Sequence, residues 1–159
     1  MDYLRRLHAQ VGAFFRFLLS QHRTPGRVAW ALLLGFVVGC TPLFGVQIFL
    51  CIALAAMLRL NFLIVYGAAN ISIPPLAPLI GLCAVRIGEW VRYGHWITLS
   101  HADFEALPLP QLAKRFFVAW LIGGTILGAA LGGVVGGAVY AVLRRRHAQA
   151  AALPAPAED

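Results

Sequence analysis

The stretch GCTPLFGVQIF, Gly39 to Phe49, interrupts the longest uncharged part of the sequence with Thr-Pro and a glycine. That uncharged part runs for 31 residues from Val28 to Leu58, and one helix of this length would measure about 46 Å. The hydrocarbon core of a bilayer is only about 30 Å thick. The stretch therefore predicts a broken helix, Val28 to Val38 and then Pro42 to Leu58, in which the proline follows an N-cap threonine.

A second stretch, NISIPPLAPL from Asn70 to Leu79, breaks the next uncharged window, Leu60 to Val85, in the same way. Unpaired backbone groups cost several kcal/mol each in hydrocarbon, so both breaks must be covered by protein or line a wet cavity. We predict that the two breaks meet, and that Gln47 and Asn70 share one hydrogen-bonded cluster. Their polar groups either form a small site at mid-depth in the membrane or only satisfy one another. The candidate residues of this site are Thr41, Pro42, Gly45, Gln47, Asn61, Asn70, Ser72, Pro74 and Pro75.

The third uncharged window, Phe116 to Leu143, repeats small residues at every fourth position. One ridge consists of Gly124, Gly128, Gly132 and Gly136, and a second consists of Thr125, Ala129, Gly133 and Gly137. Small residues let another helix approach closely in lipid. The first ridge is therefore predicted to pack against the broken helices of the same chain or against a second copy. Val139 lies outside both ridges, and a leucine there is expected to be tolerated.

Composition and charge also indicate a membrane protein. Apolar residues make up 60% of the chain and charged residues 12%, and the mean hydropathy is +0.78. The net charge of +7 lies mainly beside the apolar windows, which is typical of membrane flanks and argues against nucleic-acid binding. Five arginines precede the first window, namely Arg5, Arg6, Arg16, Arg23 and Arg27. We therefore expect a cytoplasmic N-terminus, while the charges leave the side of the C-terminus open.

The chain divides into five predicted segments, all helical or irregular. Apolar residues at helical spacing before His22 predict an amphipathic helix in the headgroup plane, rather than a signal peptide, and Thr24-Pro25-Gly26 is expected to end it. A polar stretch with Trp90, Tyr93 and Trp96 carries aromatics expected at headgroup level. The segments are residues 1–26, the interfacial helix; 27–93, a membrane core of two helix-break-helix units, either crossing or re-entrant; 94–115, a connector; 116–146, a Gly-rich transmembrane helix; and 147–159, a disordered tail.

The sequence offers no set of catalytic or metal-binding residues. No Asp, Glu or His lies in any of the three uncharged windows, so no acid–base pair is expected within the membrane. The cysteines Cys40, Cys51 and Cys83 lack Cys-x-x-Cys spacing and are interpreted as small buried hydrophobes. We therefore predict no enzyme, no metal site and no cofactor.

Three motifs resemble a known family. TPLFGVQ (Thr41 to Gln47), RLN (Arg59 to Asn61) and NISIPP (Asn70 to Pro75), in that order, resemble the domain-of-unknown-function 2062 family of bacterial membrane proteins. The resemblance covers roughly residues 25–91. Many members have Asn-Pro followed by threonine where this chain has Asn70-Ile71-Ser72, so the Asn-Pro turn is not carried over. The resemblance implies a bacterial inner-membrane protein, and the family has no assigned activity.

Two kinds of function remain. Paired broken helices favour a transporter-like or lipid-handling protein. The alternative is a membrane-embedded structural or interaction subunit with no transported substrate, whose partner is a second copy or a larger membrane protein. In either case the expected surroundings are the lipid bilayer and not a nucleic acid.

Overall fold

Five α-helices make up the described part of the chain, and that part contains no strand. The computed structural model describes residues 24–43, 45–70, 76–94 and 109–152. In chain order α1 is Pro25–Cys40, α2 is Gln47–Met57, α3 is Phe62–Ala69, α4 is Ala77–Tyr93 and α5 is Leu109–Ala152. The all-helical class is confirmed for these residues. The predicted amphipathic helix before Thr24 lies outside them, as do Ser72, Pro74, Pro75 and Trp96.

Helix α1 begins earlier than the sequence predicted. Thr24 is the N-cap of α1 and Pro25 its first residue, whereas the helix that the Thr24-Pro25-Gly26 run was expected to end lies outside the described residues. Proline suits the first helical turn because its missing N–H would have no helical partner there and its φ is already helical. The same Thr-Pro pattern therefore starts a helix here.

The prediction of a helix starting at Pro42 is wrong, because α2 begins at Gln47. Thr41 ends α1 in an extended conformation, with φ −90° and ψ 152°, as expected for a residue that precedes proline. Gly45 then has φ +90°, a left-handed value that no residue inside an α-helix adopts. The break is thus irregular at its described residues, 41–43 and 45–46, and is not a single helix junction.

The turn between α2 and α3 reverses the chain. Arg59 has a positive φ of 52°, which is uncommon outside glycine. Asn61 is the N-cap of α3, and its side chain accepts a hydrogen bond from the Leu63 N–H at 2.9 Å. This cap, worth about 1 kcal/mol, explains the RLN motif as a turn followed by a helix start.

Helix α5 is longer at both ends than the predicted Gly-rich helix 116–146. It starts at Leu109, inside the predicted connector 94–115, and continues to Ala152, inside the predicted tail 147–159. Pro110 is tolerated because it lies in the first turn. The C-terminal end is rich in alanine, which has the highest helix propensity of any residue type. Among the described residues, one helical segment, Lys114–Gln149, is long and apolar enough to cross a membrane, and α1 and α2 are shorter apolar helices.

Helices α1 and α5 pack in antiparallel directions along a seam of glycines. Gly124 approaches Cys40, Gly128 approaches Phe36 and Val37, Gly132 approaches Leu33, and Gly136 approaches Ala29. At each contact a Cβ atom on the glycine would meet backbone of α1, at 2.6 Å from the carbonyl oxygen of Phe36 for Gly128 and 2.9 Å from that of Ala29 for Gly136. The absence of side chains is what allows the two backbones to come this close.

Helices α3 and α4 extend this arrangement in two directions. Gly35 of α1 faces Val65 and Gly39 faces Ala69, so α3 runs parallel to α1. On the other half of α5, Gly88 of α4 lies against Ala119, and Gly123 of α5 lies against Ala84. Helix α4 is therefore antiparallel to α5 and covers its N-terminal half, whereas α1 covers its C-terminal half.

Candidate functional site at the helix breaks

The ends of α1 and α3 meet at the start of α2, and one buried carbonyl lies between them. The side-chain amide of Gln47 donates a hydrogen bond from Nε2 to the carbonyl oxygen of Ala69 at 3.0 Å. The same carbonyl lies against Gly39, where a Cβ atom would collide with it. Gln47 therefore links the first break to the end of α3, and Gly39 gives the space for that approach.

The other polar side chains at the breaks also bond to carbonyls at helix ends. The Thr41 hydroxyl donates to the Val38 carbonyl oxygen at 2.8 Å, and the Asn70 amide donates to the Tyr66 carbonyl oxygen at 2.9 Å. The last carbonyls of an α-helix have no partner within the helix. At these two carbonyls the side chain adds a second donor to the backbone N–H of the same residue. The Thr41 side chain is buried and that of Asn70 is exposed.

The predicted Gln47–Asn70 cluster needs a correction. The two amides bond to the carbonyls of Ala69 and Tyr66, so each has a backbone partner of its own. Both amides donate to carbonyls in the last turn of α3, where the Tyr66 carbonyl oxygen also accepts the backbone N–H of Asn70 at 3.1 Å. The two breaks meet through Gln47 and backbone, and not through a pair of side-chain amides.

Two further candidates lie away from this junction. Asn61 caps the opposite end of α3, about 12 Å from Asn70 along an eight-residue helix. Gly45 is exposed, and a Cβ atom on it would meet nothing within 4 Å. Gly45 shapes the break by its positive φ, and Pro42, half-buried, follows the extended Thr41. Three of the described candidates, Thr41, Gln47 and Asn70, thus lie at this junction. Gly39, which was not a candidate, lies there as well.

Trp120, which was not predicted from the sequence, fixes the first break to α5. Its indole Nε1 donates a hydrogen bond to the Cys40 carbonyl oxygen at 3.1 Å. Its ring also covers Gly81 of α4, where a Cβ atom would lie 3.0 Å from Cζ2. A tryptophan inside an apolar window needs a partner for its N–H, and this was the signal that could have identified it.

Glu89, which was also not predicted from the sequence, is a buried carboxylate near the end of α4. Only 3% of the residue is exposed, and its Oε1 lies 3.6 Å from Nη2 of Arg115 on α5. Ala84 and Gly88 are four positions apart and share the face towards α5, and Glu89, the next residue, lies at the edge of that face. Cys83 falls on the other side of α4 and is exposed, contrary to its interpretation as buried, while Cys40 and Cys51 are buried.

The two small-residue ridges of α5 have different surroundings. Gly124, Gly128, Gly132 and Gly136 are buried against α1, whereas Thr125, Ala129, Gly133 and Gly137 are exposed. Val139 is also buried, with 5% exposure, and belongs to the core around α1 and α3. It lies on the side of α5 that the core covers, three residues after Gly136, so it is not the tolerant position that the sequence suggested.

An open apolar groove of about 210 Å³ follows the seam between α1 and α5. Trp30 of α1 and Tyr140 of α5 line it, together with Gly133 and Gly137 from the exposed ridge. A Cβ atom at either of these two glycines would meet nothing within 4 Å. The groove therefore has room for small additions and lies away from the helix breaks.

Comparison with known proteins gives a family. A family described as an uncharacterized protein conserved in bacteria (DUF2062) matches residues 8–152. No curated protein and no solved structure matches the sequence. The match covers well over half of the chain and includes all three motifs from which the resemblance was drawn. The chain belongs to the bacterial DUF2062 family.

Proposed function

We propose that the protein is a small multi-pass protein of the bacterial inner membrane that binds a lipid acyl chain in the groove between α1 and α5. The observation that carries the membrane part is the spacing of two exposed tryptophans, Trp30 and Trp90, with 61% and 52% exposure. Ala29 faces Gly136 and Gly88 faces Ala119, so the two tryptophans are about 28 Å apart along α5. This spacing matches the roughly 30 Å between the two aromatic belts of a membrane protein.

The surface between these tryptophans supports the same assignment. Large apolar side chains are exposed there and on α2, among them Phe49 at 70%, Met57 at 79% and Val134 at 73%. Soluble proteins rarely expose contiguous apolar surface on this scale, whereas hydrocarbon tails are suitable neighbours for it. On this depth scale the break at Cys40, opposite Gly124, lies about 10 Å inside the Trp90 belt, off-centre rather than at mid-depth.

The groove favours an acyl chain over a polar solute. The polar side chains at the breaks are engaged with helix-end carbonyls, so we assign them to holding the bend. The groove has an apolar lining of glycines and aromatic rings, extends to both sides of the Trp30 level and opens towards the surroundings. A lipid tail fits this chemistry because it needs contact area and no hydrogen bonds.

The experiment is photocrosslinking with a phospholipid that carries a diazirine on one acyl chain, applied to the full chain in vesicles. Gly137→Leu adds a side chain to the groove at a position where the Cβ atom would meet nothing within 4 Å. Ala129→Leu places the same side chain on the same exposed ridge outside the groove. We expect Gly137→Leu to lower crosslinking to α1 and α5 several-fold, with Ala129→Leu unchanged. Equal crosslinking in both variants would refute the acyl-chain site.

The second candidate is an interaction subunit that pairs with a second copy through the exposed ridge. The four small residues of that ridge are exposed along about 18 Å of α5, and such a ridge is typical of helix pairs in membranes. Self-association predicts that Ala129→Leu and Gly137→Leu both reduce dimer crosslinking. The lipid proposal predicts that the oligomer size stays the same in both variants.

A further inference from the structure

The end of the bundle near Trp90 carries cations that the topology of the protein does not require. Arg86 and Arg92 belong to α4, and Lys114 and Arg115 belong to α5. The opposite end carries Arg27 and the run Arg144 to Arg146, which already supplies the positive charge that orients a membrane protein. A second group of cations at the far interface therefore needs a reason of its own.

Two of these cations converge on one aromatic ring. The guanidinium carbon of Arg92 lies 5.1 Å from the centroid of the Tyr93 ring, and that of Arg115 lies 5.3 Å from the same centroid. A contact of this kind attracts the cation to the negative face of the aromatic ring. Because the two like charges repel each other, an anion held near both of them would be stabilised by both.

Glu89 is the only carboxylate among the described residues. One carboxylate can neutralise only one of the two guanidinium charges beside Tyr93. Glu89 is buried, and its Oε1 reaches Nη2 of Arg115 at 3.6 Å, which is longer than a hydrogen bond. Within the described part of the chain, neither Glu89 Oε1 nor Arg115 Nε has a hydrogen-bond partner. Glu89 therefore holds Arg115 in place beside Tyr93, and no other carboxylate among the described residues is available to pair with Arg92.

We propose that Arg92, Arg115 and Tyr93 bind the phosphate of an anionic phospholipid headgroup. The proposal rests on the membrane embedding proposed above, which puts this cluster at headgroup level. The exposed side chains of Trp90, Val91 and Phe117 adjoin the cluster, with 52%, 49% and 46% exposure, and offer contact to the acyl chains below the headgroup. The site is separate from the groove, because Arg115 and Gly132 are about 25 Å apart along α5.

The test is native mass spectrometry of the full chain in detergent, titrated with dioleoyl phosphatidylglycerol or with dioleoyl phosphatidylcholine. The variant is Arg92→Gln, whose side chain is exposed, and the matched control is Arg145→Gln at the other end of the bundle. We expect phosphatidylglycerol to bind the parent chain more tightly than phosphatidylcholine does. Arg92→Gln should weaken that binding about fivefold, the loss expected for one arginine near an anionic headgroup, while Arg145→Gln leaves it unchanged.

A second variant tests Arg115 without leaving a buried charge unpaired. Glu89→Gln combined with Arg115→Gln removes both charges together, and we expect it to weaken phosphatidylglycerol binding by a similar factor. Equal binding of both lipids, or equal losses in Arg92→Gln and Arg145→Gln, would overturn the proposal. Inorganic phosphate that binds the same residues as tightly as the lipid would assign the site to free phosphate instead. The binding experiment is done in detergent, so its result does not depend on whether the protein is found in the membrane. Membrane fractionation of cells tests the embedding separately.

Discussion

The indole N–H of Trp120 donates a hydrogen bond of 3.1 Å to the carbonyl oxygen of Cys40, 80 residues earlier in the chain. Cys40 is the last residue of α1, where the carbonyls have no helical partner. The bond therefore ties the first helix break to α5, at the level where Gly124 lets the two backbones approach. This contact gives one of the carbonyl groups at the break a hydrogen-bond donor from another helix.

Loss of this bond should reduce stability. We expect Trp120→Phe to lower the free energy of unfolding in detergent by about 0.5–1.5 kcal/mol, because the Cys40 carbonyl loses its donor. The control is Trp90→Phe, since Trp90 is half exposed. Thermal unfolding followed by tryptophan fluorescence is unsuitable for tryptophan variants, so the measurement is circular dichroism. Equal midpoints for the two variants would contradict a role for the bond.

The buried glycine ridge should tolerate no side chain, and the exposed ridge should tolerate one. Gly128→Ala places a Cβ atom 2.6 Å from the Phe36 carbonyl oxygen and should cost about 1–3 kcal/mol. Gly133→Ala, with nothing within 4 Å of the added atom, should be neutral or slightly stabilising. Thermal midpoints in detergent compare the two, and an equal loss in both would mean that the seam with α1 does not hold the fold.

Replacement of Gln47 should cost more than replacement of Asn70, and the two effects should add. Gln47→Leu leaves the buried Ala69 carbonyl without its side-chain donor, for about 1 kcal/mol. Asn70 is exposed, so its leucine variant should change stability by less than about 0.5 kcal/mol. A double-mutant cycle by chemical denaturation should give a coupling energy near zero. A coupling above about 0.5 kcal/mol would restore the shared amide cluster predicted from the sequence.

Both ends of the described chain should lie on the same side of the membrane. The start of α1 packs near Gly136 and Tyr140, four to eight residues before Arg144, so Arg27 and Arg144 to Arg146 share one end of the bundle. Because four more arginines precede Arg27 in the sequence, we expect that end to be cytoplasmic by the positive-inside rule. Topology reporters fused at residue 20 and after residue 146 should both score cytoplasmic, and opposite scores would contradict the packing of α1 on α5.

Local patterns in the sequence predicted the elements with good success. The break at Thr41, the helical class and the glycine periodicity of α5 follow from residue properties that act over a few positions, namely proline geometry, apolar runs and side-chain size. The boundaries were less accurate where two local signals competed. At Pro42 the favourable first-turn signal was overridden by Gly45, whose positive φ moved the start of α2 to Gln47.

Only the tertiary structure decided which of two similar sequence patterns is buried against another helix. Both ridges of α5 consist of small residues, yet the one with Gly128 is buried and the one with Gly133 is exposed. The same holds for the carboxylate of Glu89, which α5 buries beside Arg115, and for the donors Gln47 and Trp120, whose acceptors lie 22 and 80 residues away. The sequence by itself determined helices, breaks and small faces, because these depend on short-range sterics and hydrophobicity. Which face meets which helix depends on contacts between distant segments, and these are set when α1 and α4 pack on α5 and α3 packs on α1.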